Sequence, residues 1–406
     1  MVRNRKARIL GYSALALVLI ASSVGILSAG AAPDDRAGPS HGSRPASPPN
    51  TLPQTTFVPA PPTGAKGPDD ITHLALRALD HGRDVVWTAY QNGVNPNGTA
   101  GAPGGPTHST VVGYDRLSGA VVRSINISGK VDGLAADPWM GTLIATANED
   151  VNSAFQLIYP VTGAVATYSY SPNPAVSGNG GTDSIAVRAG VIYVAHSNPN
   201  DTRQATDYRV TLHAATLTAQ LTPVFYDDSS AIDVLTHASV TLALTDPDTN
   251  FIMPHASPRF GGELATIGQA DGEIVFEANG AHHPLLHVLP LHDNVSGNVP
   301  PIDGIAVATC NAGTLYVVDA KANTILALNT TGWPAGTVFL GEPSDNGNPL
   351  VGTLNLNTGN ITPLGNHFVS PKGLLFVPDY SAGCGLGGHG WKSHEGDSGS
   401  ERGEEE

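Results

Sequence analysis

The chain has 406 residues, of which 40% are hydrophobic, 6% aromatic and 14% charged, and its formal net charge at pH 7 is −15. This composition is typical of a β protein rich in small and β-branched residues, and the length leaves room for a large core. Because so acidic a surface repels a phosphate backbone, the charge argues against nucleic acid as a partner and favours cations.

The N-terminus predicts a secretory signal. Four basic residues within the first eight precede an apolar run over residues 9–32, which contains the small-residue triplet Ala29-Gly30-Ala31. This layout indicates a signal peptide, residues 1–31, cleaved after Ala31. The alternative is an uncleaved anchor, because the apolar run is about as long as the ~20 residues that span a bilayer. Both interpretations predict an exported protein, and only the anchor links it to a membrane.

Two segments lack the apolar pattern of a folded domain. Residues 32–68 are rich in Pro, Ala, Ser and Gly, the composition of an extended linker. Residues 381–406 are Gly-rich and then acidic, so we predict a disordered tail that is too poor in apolar residues to fold by itself. These boundaries leave residues 69–380 as one folded domain.

A repeated phrase dominates this domain. An Asp is followed by a short apolar strand, a Gly turn, a second apolar strand and then Asn, Asp or Ser, and copies begin at Asp132, Asp183 and Asp303. Self-similarity at ~40–50 residues is typical of propeller blades, because one blade cannot bury both of its faces alone. The predicted fold class is therefore all-β, a single β-propeller with four-stranded antiparallel blades.

The blades are predicted in chain order from their strand pairs and turns. They begin near Asp70, Asp132, Asp183, Ala231, Glu263 and Asp303. The segment 350–378 either completes the sixth blade or makes a seventh, so six blades are predicted with seven as the alternative. No segment after the signal has a sustained period of 3.6 residues, and helix is expected to be scarce.

The fullest copy of the phrase carries a family resemblance. The segments 302–307 and 313–319 resemble the repeats of secreted bacterial propellers of the NHL, YVTN and SMP-30/gluconolactonase-like groups. In the SMP-30-like lactonases this resemblance implies a divalent cation, usually calcium, at the channel mouth. It would be held by a Glu of the first blade, by Asn, and by an Asp before Gly at the head of an inner strand. Asp132-Gly133 and Asp303-Gly304 match the last element, and Asp183 precedes Ser184 in the same register.

The other two elements of that pattern are missing. Asp69-Asp70 stands where the Glu of the first blade is expected, and no Asn-Gly pair heads a strand. The resemblance to the lactonases therefore covers the scaffold and the Asp element only.

Five aspartates are predicted to converge on one rim of the channel, because each would begin an innermost strand: Asp70, Asp132, Asp183, Asp233 and Asp303. Neighbouring carboxylates raise each other's pKa unless a cation neutralises them, and a set of oxygen ligands suits Ca²⁺. The alternative is that each Asp accepts backbone N–H bonds in the turn before its strand.

Two other segments contain residue types that bind metals, but their sequence patterns favour roles without a metal. The histidines from His282 to His292 could hold Zn²⁺ or Cu²⁺, yet Pro284 interrupts the strand, which favours a solvated edge. The segment 246–250 spaces oxygens as calcium loops do, but it lacks the Gly and Glu of an EF-hand, which favours a plain turn. No Gly-x-Ser-x-Gly elbow is present, so a serine nucleophile is not predicted.

Cys310 and Cys384 are predicted to form a disulfide, because an exported chain meets an oxidising compartment. The bond would tie the last blade to the tail and would contribute ~4 kcal/mol by closing a long loop. Two free buried thiols are the alternative.

Two functions are compatible with these features. The first is a secreted or cell-surface binding module, monomeric, whose rim holds calcium and recognises a protein, a glycan or a small molecule. The second is a metal-dependent hydrolase of lactones or small esters, in which the cation polarises the carbonyl and an Asp acts as the base. Rim carboxylates beside an open pocket would favour the enzyme, and a plugged channel would favour the binding module.

Overall fold

The computed structural model describes residues 51–76, 83–174, 180–199, 204–278, 285–293, 299–344, 348–382 and 384. These residues belong to one compact unit, Pro48–Glu406, and the other unit, Met1–Ser47, lies outside the described residues. The predicted signal peptide, His282 and His283, and most of the predicted tail also lie outside them. Among the described residues, no helix is long and apolar enough to cross a membrane.

The secondary structure is almost entirely β. The first strands are β1 (Gln54–Val58), β2 (Pro68–His73), β3 (Val85–Tyr90), β4 (His108–Asp115), β5 (Val121–Ser128), β6 (Val131–Asp137), β7 (Thr142–Ala147), β8 (Ala154–Tyr159), β9 (Ala164–Ser171), β10 (Thr182–Arg188), β11 (Val191–His196), β12 (Ala205–His213) and β13 (Thr218–Tyr226).

The remaining strands follow in the second half of the chain. They are β14 (Ser230–Asp233), β15 (Ser239–Thr241), β16 (Pro247–Ile252), β17 (Leu264–Gly268), β18 (Glu273–Ala278), β19 (Leu285–Pro290), β20 (His292–Asp293), β21 (Gly304–Val307), β22 (Gly313–Asp319), β23 (Thr324–Asn329), β24 (Val338–Glu342), β25 (Leu350–Leu354), β26 (Asn360–Pro363) and β27 (Pro371–Pro378). A short 3-10 turn, Tyr380–Ala382, comes after the last strand.

The strands form blades of four. From the channel outward the described blades are β2-β3-β4-β5, β6-β7-β8-β9, β10-β11-β12-β13, β16-β17-β18-β19, β21-β24-β25-β26 and β27-β22-β23-β1. The innermost strands β2, β6, β10, β16, β21 and β27 contact one another in this order, and β27 contacts β2. The predicted all-β propeller with four-stranded antiparallel blades is confirmed.

Position within a blade explains the residue pattern of each strand. In the second strands β3 and β7 every residue is buried, because neighbouring blades cover both faces. The outermost strands β5 and β9 alternate between buried and exposed residues towards their ends, because one face meets water. Apolar clusters fill the space between blades, as with Tyr90, Tyr114 and Tyr316 between the first and the sixth.

The copy of the repeat that begins at Asp303 contributes strands to two blades, whereas its strands were predicted to lie in the same blade. Strand β21 pairs with β24, whereas β22 pairs with β23 and β27. An apolar strand carries no mark of its partner, so the sequence could not show that β21 and β22 separate. Because of this separation, β27 from the C-terminal side and β1 from the N-terminal side both complete the sixth blade.

The folded domain begins earlier than predicted. Strand β1 lies inside the predicted linker, residues 32–68, yet it pairs with β23 in the register Gln54↔Leu328. Leu52 and Val58 are each 2% exposed. A lone strand whose partner is far along the chain has no neighbouring repeat to reveal it, so composition alone suggested a linker.

The fourth blade is also placed differently from the prediction. Its innermost strand is β16, whereas β14, where the blade was predicted to open, is added beyond β19 together with β15. Both segments are short and partly apolar, so strand propensity could not distinguish an edge strand from an innermost one.

The two cysteines are bonded. Cys310, in the segment between β21 and β22, forms a disulfide with Cys384, and their Cα atoms are 5.8 Å apart. Close by, the backbone N–H of Asp379 donates to the carbonyl of Ala312 at 3.0 Å. The bond therefore fastens the chain beyond β27 to the segment that leads into β22.

Candidate functional site

A cavity of about 580 Å³ lies at the end of the channel where the innermost strands begin. Its walls come from the starts of innermost strands and from the residues that directly follow the second strands of blades. We call it the mouth cavity. It is lined by seven carboxylates, two lysines and six other residues: Asp69, Gln91, Lys130, Asp132, Glu149, Asp150, Asp183, Ser197, Asn198, Thr245, Asp246, Asp248, Gln269, Ala270 and Lys372.

Lys130 pairs two of these carboxylates. Its ammonium group contacts one oxygen of Asp132 and one of Glu149. Burial by itself would lower the pKa of Lys130, but the charges of Asp132 and Glu149 raise it, so the ammonium stays charged. Gln91 Nε2 also donates to Asp132 Oδ1 at 3.2 Å, while Asp132 Oδ2 is buried without a hydrogen-bond partner. Asp132 is thus held by one oxygen, and its other oxygen lacks a donor among the described residues.

Lys372 joins another pair of carboxylates. Its Nζ lies 2.9 Å from Asp69 Oδ1 and 2.8 Å from Asp303 Oδ2. Burial opposes the charge on Lys372, yet Asp303 and Asp69 raise its pKa well above the usual range. Asp303 also lines a smaller cavity of about 160 Å³. Lys372 therefore stands in the wall between the two cavities.

Three of the five predicted aspartates reach the region of the mouth. Asp132 and Asp183 line the mouth cavity, and Asp303 contacts it through Lys372. Asp70 lies in the smaller cavity, where its Oδ2 accepts the N–H of Leu134 at 2.8 Å. Since successive residues of a strand point to opposite sides, Asp69 takes the place that was predicted for Asp70.

The placement of Asp233 at the rim was wrong. Asp233 ends the outer strand β14, and its Oδ1 accepts the N–H of Leu235 at 2.7 Å and of Thr236 at 2.8 Å. These bonds lower the pKa of Asp233, and the bond from Thr236 has the largest effect. Asp233 therefore has the turn role that was the stated alternative, because β14 lies at the outer edge of the fourth blade.

The fourth blade contributes Asp246 and Asp248 instead. Both line the mouth cavity and flank Pro247, the first residue of the innermost strand β16. The interpretation of this segment as a plain turn is thereby corrected. The sequence signal for this arrangement was the alternation of Asp246 and Asp248 just before the apolar residues Phe251 and Ile252, a pattern typical of the first residues of a strand.

Sequence analysis missed the residues that follow the second strands. Gln91, Glu149, Asn198 and Gln269 come shortly after β3, β7, β11 and β17 and line the mouth cavity. A polar residue after the second strand was part of the repeated phrase. It could have located these side chains, because adjacent antiparallel strands bring the start of one beside the end of the next.

Burial sets the protonation of the remaining carboxyls. It raises the pKa of Asp183 well above the usual range, with further increases from Asp248 and then Glu149. Burial also raises the pKa of Asp248, followed by the charge of Asp303. The pKa of Asp246 is raised to about 6, by burial first and by Glu149 and Asp271 next. Burial likewise raises the pKa of Asp132, against the charge of Lys130. Four carboxyls of the mouth cavity, those of Asp132, Asp183, Asp246 and Asp248, therefore gain protons more easily than they would in water.

The side chains as placed do not form a metal centre. Within the described ranges, no group of three or more His, Cys, Asp or Glu residues is arranged to hold a metal ion. The ammonium groups of Lys130 and Lys372 lie against the carboxylates that a cation would neutralise. The predicted calcium ion stays a prediction.

Comparisons with known proteins add only a likeness of fold. No family model matches the chain, and no curated protein matches it. Similar solved structures include streptogramin B lyase, with 14% identity, 80% of this chain and 91% of that chain covered, and a TM-score of 0.41. The periplasmic gluconolactonase of Pseudomonas aeruginosa has 13% identity, 75% and 87% coverage, and a TM-score of 0.43. Hydrazine synthase of Kuenenia stuttgartiensis has 12% identity, 75% and 69% coverage, and a TM-score of 0.39.

These similarities agree with the resemblance to gluconolactonase-like propellers that the repeated phrase carried. At such identities and TM-scores they carry no argument about the reaction.

Proposed function

We propose that the protein is a hydrolase of small lactones or esters, and that the reaction takes place in the mouth cavity. The observation that carries the proposal is that Asp246, a carboxyl with a pKa raised to about 6, lines the same cavity as the charged Lys130. A carboxyl with a pKa near the working pH can act as a base, and a charged ammonium can stabilise negative charge on a carbonyl oxygen, so one cavity holds both kinds of group.

Asp246 is the general base in this proposal. A base is most effective when its pKa lies near the working pH, because it is then ionised and still holds a proton well. Among the described residues its carboxylate has no hydrogen-bonded side-chain partner, in contrast to Asp248, which accepts Gln269 Nε2 at 2.6 Å. Asp246 is therefore free to accept a proton from a water molecule.

Lys130 is the electrophile. Its ammonium has three N–H donors, and Asp132 and Glu149 use two of them. The third can bind the carbonyl oxygen as negative charge develops on it, and donors that are fixed in advance stabilise such charge strongly. Asp132 and Glu149 hold the ammonium in position for this role.

The proposed step conserves every atom. A water oxygen forms a bond to the carbonyl carbon while Asp246 takes one proton from the water. The bond between the carbonyl carbon and the ester oxygen then breaks, and the proton passes from Asp246 to the leaving oxygen. The products are a carboxylic acid and a hydroxyl, which in a lactone remain parts of one molecule.

The test is titration of released acid at constant pH with γ-butyrolactone, glucono-δ-lactone and ethyl acetate. We expect the wild-type chain to hydrolyse at least one of them, and Asp246→Asn to reduce kcat about 100-fold or more. Asp233→Asn, which removes a carboxylate far from the mouth cavity, is the matched control and should keep full activity. The proposal fails if no substrate is hydrolysed above background, or if Asp246→Asn is as active as the wild type.

A second candidate is an exported binding module with a calcium ion at the rim. It is favoured by the excess of carboxylates, seven against two lysines, around the mouth cavity. In this candidate the protein is a secreted or cell-surface monomer that recognises a protein, glycan or small molecule at the rim. Melting curves with Ca²⁺ and with EDTA test it, because a ligand at 100 times its Kd adds ~2.7 kcal/mol. Equal melting temperatures would remove the calcium ion.

A further inference from the structure

The mouth cavity binds ammonium groups in a repeated way. Each of its two lysines places an ammonium between two carboxylates: Lys130 between Asp132 and Glu149, and Lys372 between Asp69 and Asp303. Such charge-assisted hydrogen bonds are about twice as strong as neutral ones. The chain therefore displays, with its own side chains, the geometry in which this cavity accommodates an ammonium.

A third set of carboxylates in the same cavity forms no ion pair with a lysine among the described residues, although the charge of Lys372 acts on Asp248. Asp183 is 3% exposed and lines the mouth cavity, yet among the described residues its carboxylate takes part in no hydrogen bond and no ion pair. Asp248, across the boundary between the third and fourth blades, accepts a hydrogen bond from the neutral amide of Gln269. An unpartnered carboxylate this deeply buried is costly unless a ligand or solvent donates to it.

The two carboxylates lie close enough to influence each other. After burial, the charge of Asp248 has the largest effect on the pKa of Asp183, ahead of Glu149 and Asp132. Both begin innermost strands, β10 and β16, which contact each other in the channel wall. A cation placed between them would relieve this repulsion in the same way as Lys130 and Lys372 do elsewhere in the cavity.

The charge of the lining also excludes anionic ligands. The two lysines are each held by two carboxylates, and neither Arg nor His is among the residues that line the mouth cavity. Because the charge of each lysine is already offset by two carboxylates, the surrounding carboxylates would repel a phosphate or a carboxylate on a ligand. The lining therefore selects against phosphorylated and acidic molecules.

We propose that Asp183 and Asp248 form a subsite for a primary ammonium group of the ligand. A metal ion is the less suitable occupant, because the described residues offer no group of three metal-ligating side chains there. The inference rests on the proposed function in one respect: if the protein is a hydrolase, its substrate is an amino-bearing lactone or ester whose carbonyl lies near Asp246. Binding of the ammonium itself does not depend on turnover.

Calorimetric titration of the full chain at low ionic strength tests the subsite with three probes of equal length. Butylammonium copies the end of a lysine side chain, 1-butanol is its neutral counterpart, and butyrate is its anionic one. We expect butylammonium to bind at least about tenfold more tightly than butanol, and butyrate not to bind. Asp183→Asn and Asp248→Asn should each weaken butylammonium about tenfold, and Asp233→Asn should leave its affinity unchanged.

Several results would overturn the subsite. The first is equal affinity for butylammonium and butanol. The second is an unchanged affinity of Asp183→Asn for butylammonium. The third is that the wild type binds Ca²⁺ but not butylammonium, and that Asp183→Asn abolishes the binding of Ca²⁺. Circular dichroism melts of each variant show whether it is folded, and the Asp248→Asn variant provides a second reading if Asp183→Asn unfolds.

The hydrolase proposal can fail separately from this one. Homoserine lactone carries an ammonium, and γ-butyrolactone is its neutral counterpart. Preference for homoserine lactone, lost in Asp183→Asn, supports both ideas, whereas binding of butylammonium without any hydrolysis supports the subsite and removes the enzyme. Equal hydrolysis of both lactones would keep the enzyme and overturn the role of the subsite in selecting its substrate.

Discussion

Lys372 Nζ lies 2.8 Å from Asp303 Oδ2 and so joins the start of β27 to the residue before β21. The same ammonium contacts Asp69 of β2 at 2.9 Å, so one side chain links three innermost strands at the seam where the ring closes. The seam also joins the two ends of the folded chain, because β1 and β27 complete the same blade.

Lys372→Met is expected to destabilise the protein by about 3 kcal/mol, because it leaves Asp69 and Asp303 buried without their cation. Urea denaturation followed by tryptophan fluorescence measures the free energy of unfolding. Lys66→Met removes an exposed lysine and is the control, with an expected change within ~0.5 kcal/mol. A loss below ~1 kcal/mol in Lys372→Met would show that the ion pairs contribute little.

The stability of the protein is expected to fall as pH rises through about 7, because of Asp207. This carboxyl is fully buried between the third and fourth blades, and it accepts hydrogen bonds from Asn250 Nδ2 and Thr266 Oγ1, both at 2.5 Å. Burial raises its pKa to about 7 from an unfolded value of 3.8, so the folded state binds the proton more tightly. Its contribution is therefore complete below pH 3.8 and is lost as pH rises to about 7.

Asp207→Asn removes this titration. Between pH 4 and 7 the free energy of unfolding of the wild type should fall, relative to the variant, by ~1.4 kcal/mol per pH unit. Denaturant midpoints at half-unit intervals of pH check the difference. Parallel curves for the two proteins would show that Asp207 has the same pKa folded and unfolded.

The hydrolysis rate is expected to rise with pH through about 6 and then level off. Asp246, whose pKa burial raises to about 6, must lose its proton before it can act as a base. Asp246→Glu should keep a rise in the same region, and Asp246→Asn should remove it along with most of the activity. A profile of the wild type that is flat between pH 5 and 8 would assign the base to another group.

Phe57→Ala is expected to cost about 2 kcal/mol, although composition placed this residue in a linker. The ring of Phe57 packs edge-on against Tyr316, with centroids 4.9 Å apart, and against Tyr114 at 6.3 Å. Loss of a half-buried aromatic side chain removes these contacts and leaves a cavity. Thermal melts give the change, with the exposed Gln54→Ala as control. An unchanged melting temperature would place β1 outside the cooperative unit.

The repeated phrase predicted strands well and their partners poorly. Alternation and apolar runs located β6, β7, β10 and β11, since those strands are local hairpins whose two halves lie together in the sequence. The same phrase at Asp303 failed, because β21 and β22 separate into different blades.

In the candidate site, too, residues of local hairpins were predicted better than residues whose neighbours lie far along the chain. Asp132 and Asp183 were predicted because each begins a local hairpin. Lys372 was missed and Asp246 was interpreted as part of a plain turn, because their neighbours in space come from other blades. Asp69 and Asp70 could not be told apart, since the direction of a side chain at a strand head depends on how the strand enters the sheet.

The sequence by itself determined the β-rich blades, the acidic character of the channel mouth and the cysteine pair, because each depends on residue type and on spacing along the chain. Only the tertiary structure decided which strands close the ring, which aspartates face the mouth cavity and which of them are neutralised by lysines. These features depend on contacts between residues far apart in the chain. Burial then raises the pKa of Asp183, Asp246 and Asp248, and burial exists only after the blades have packed.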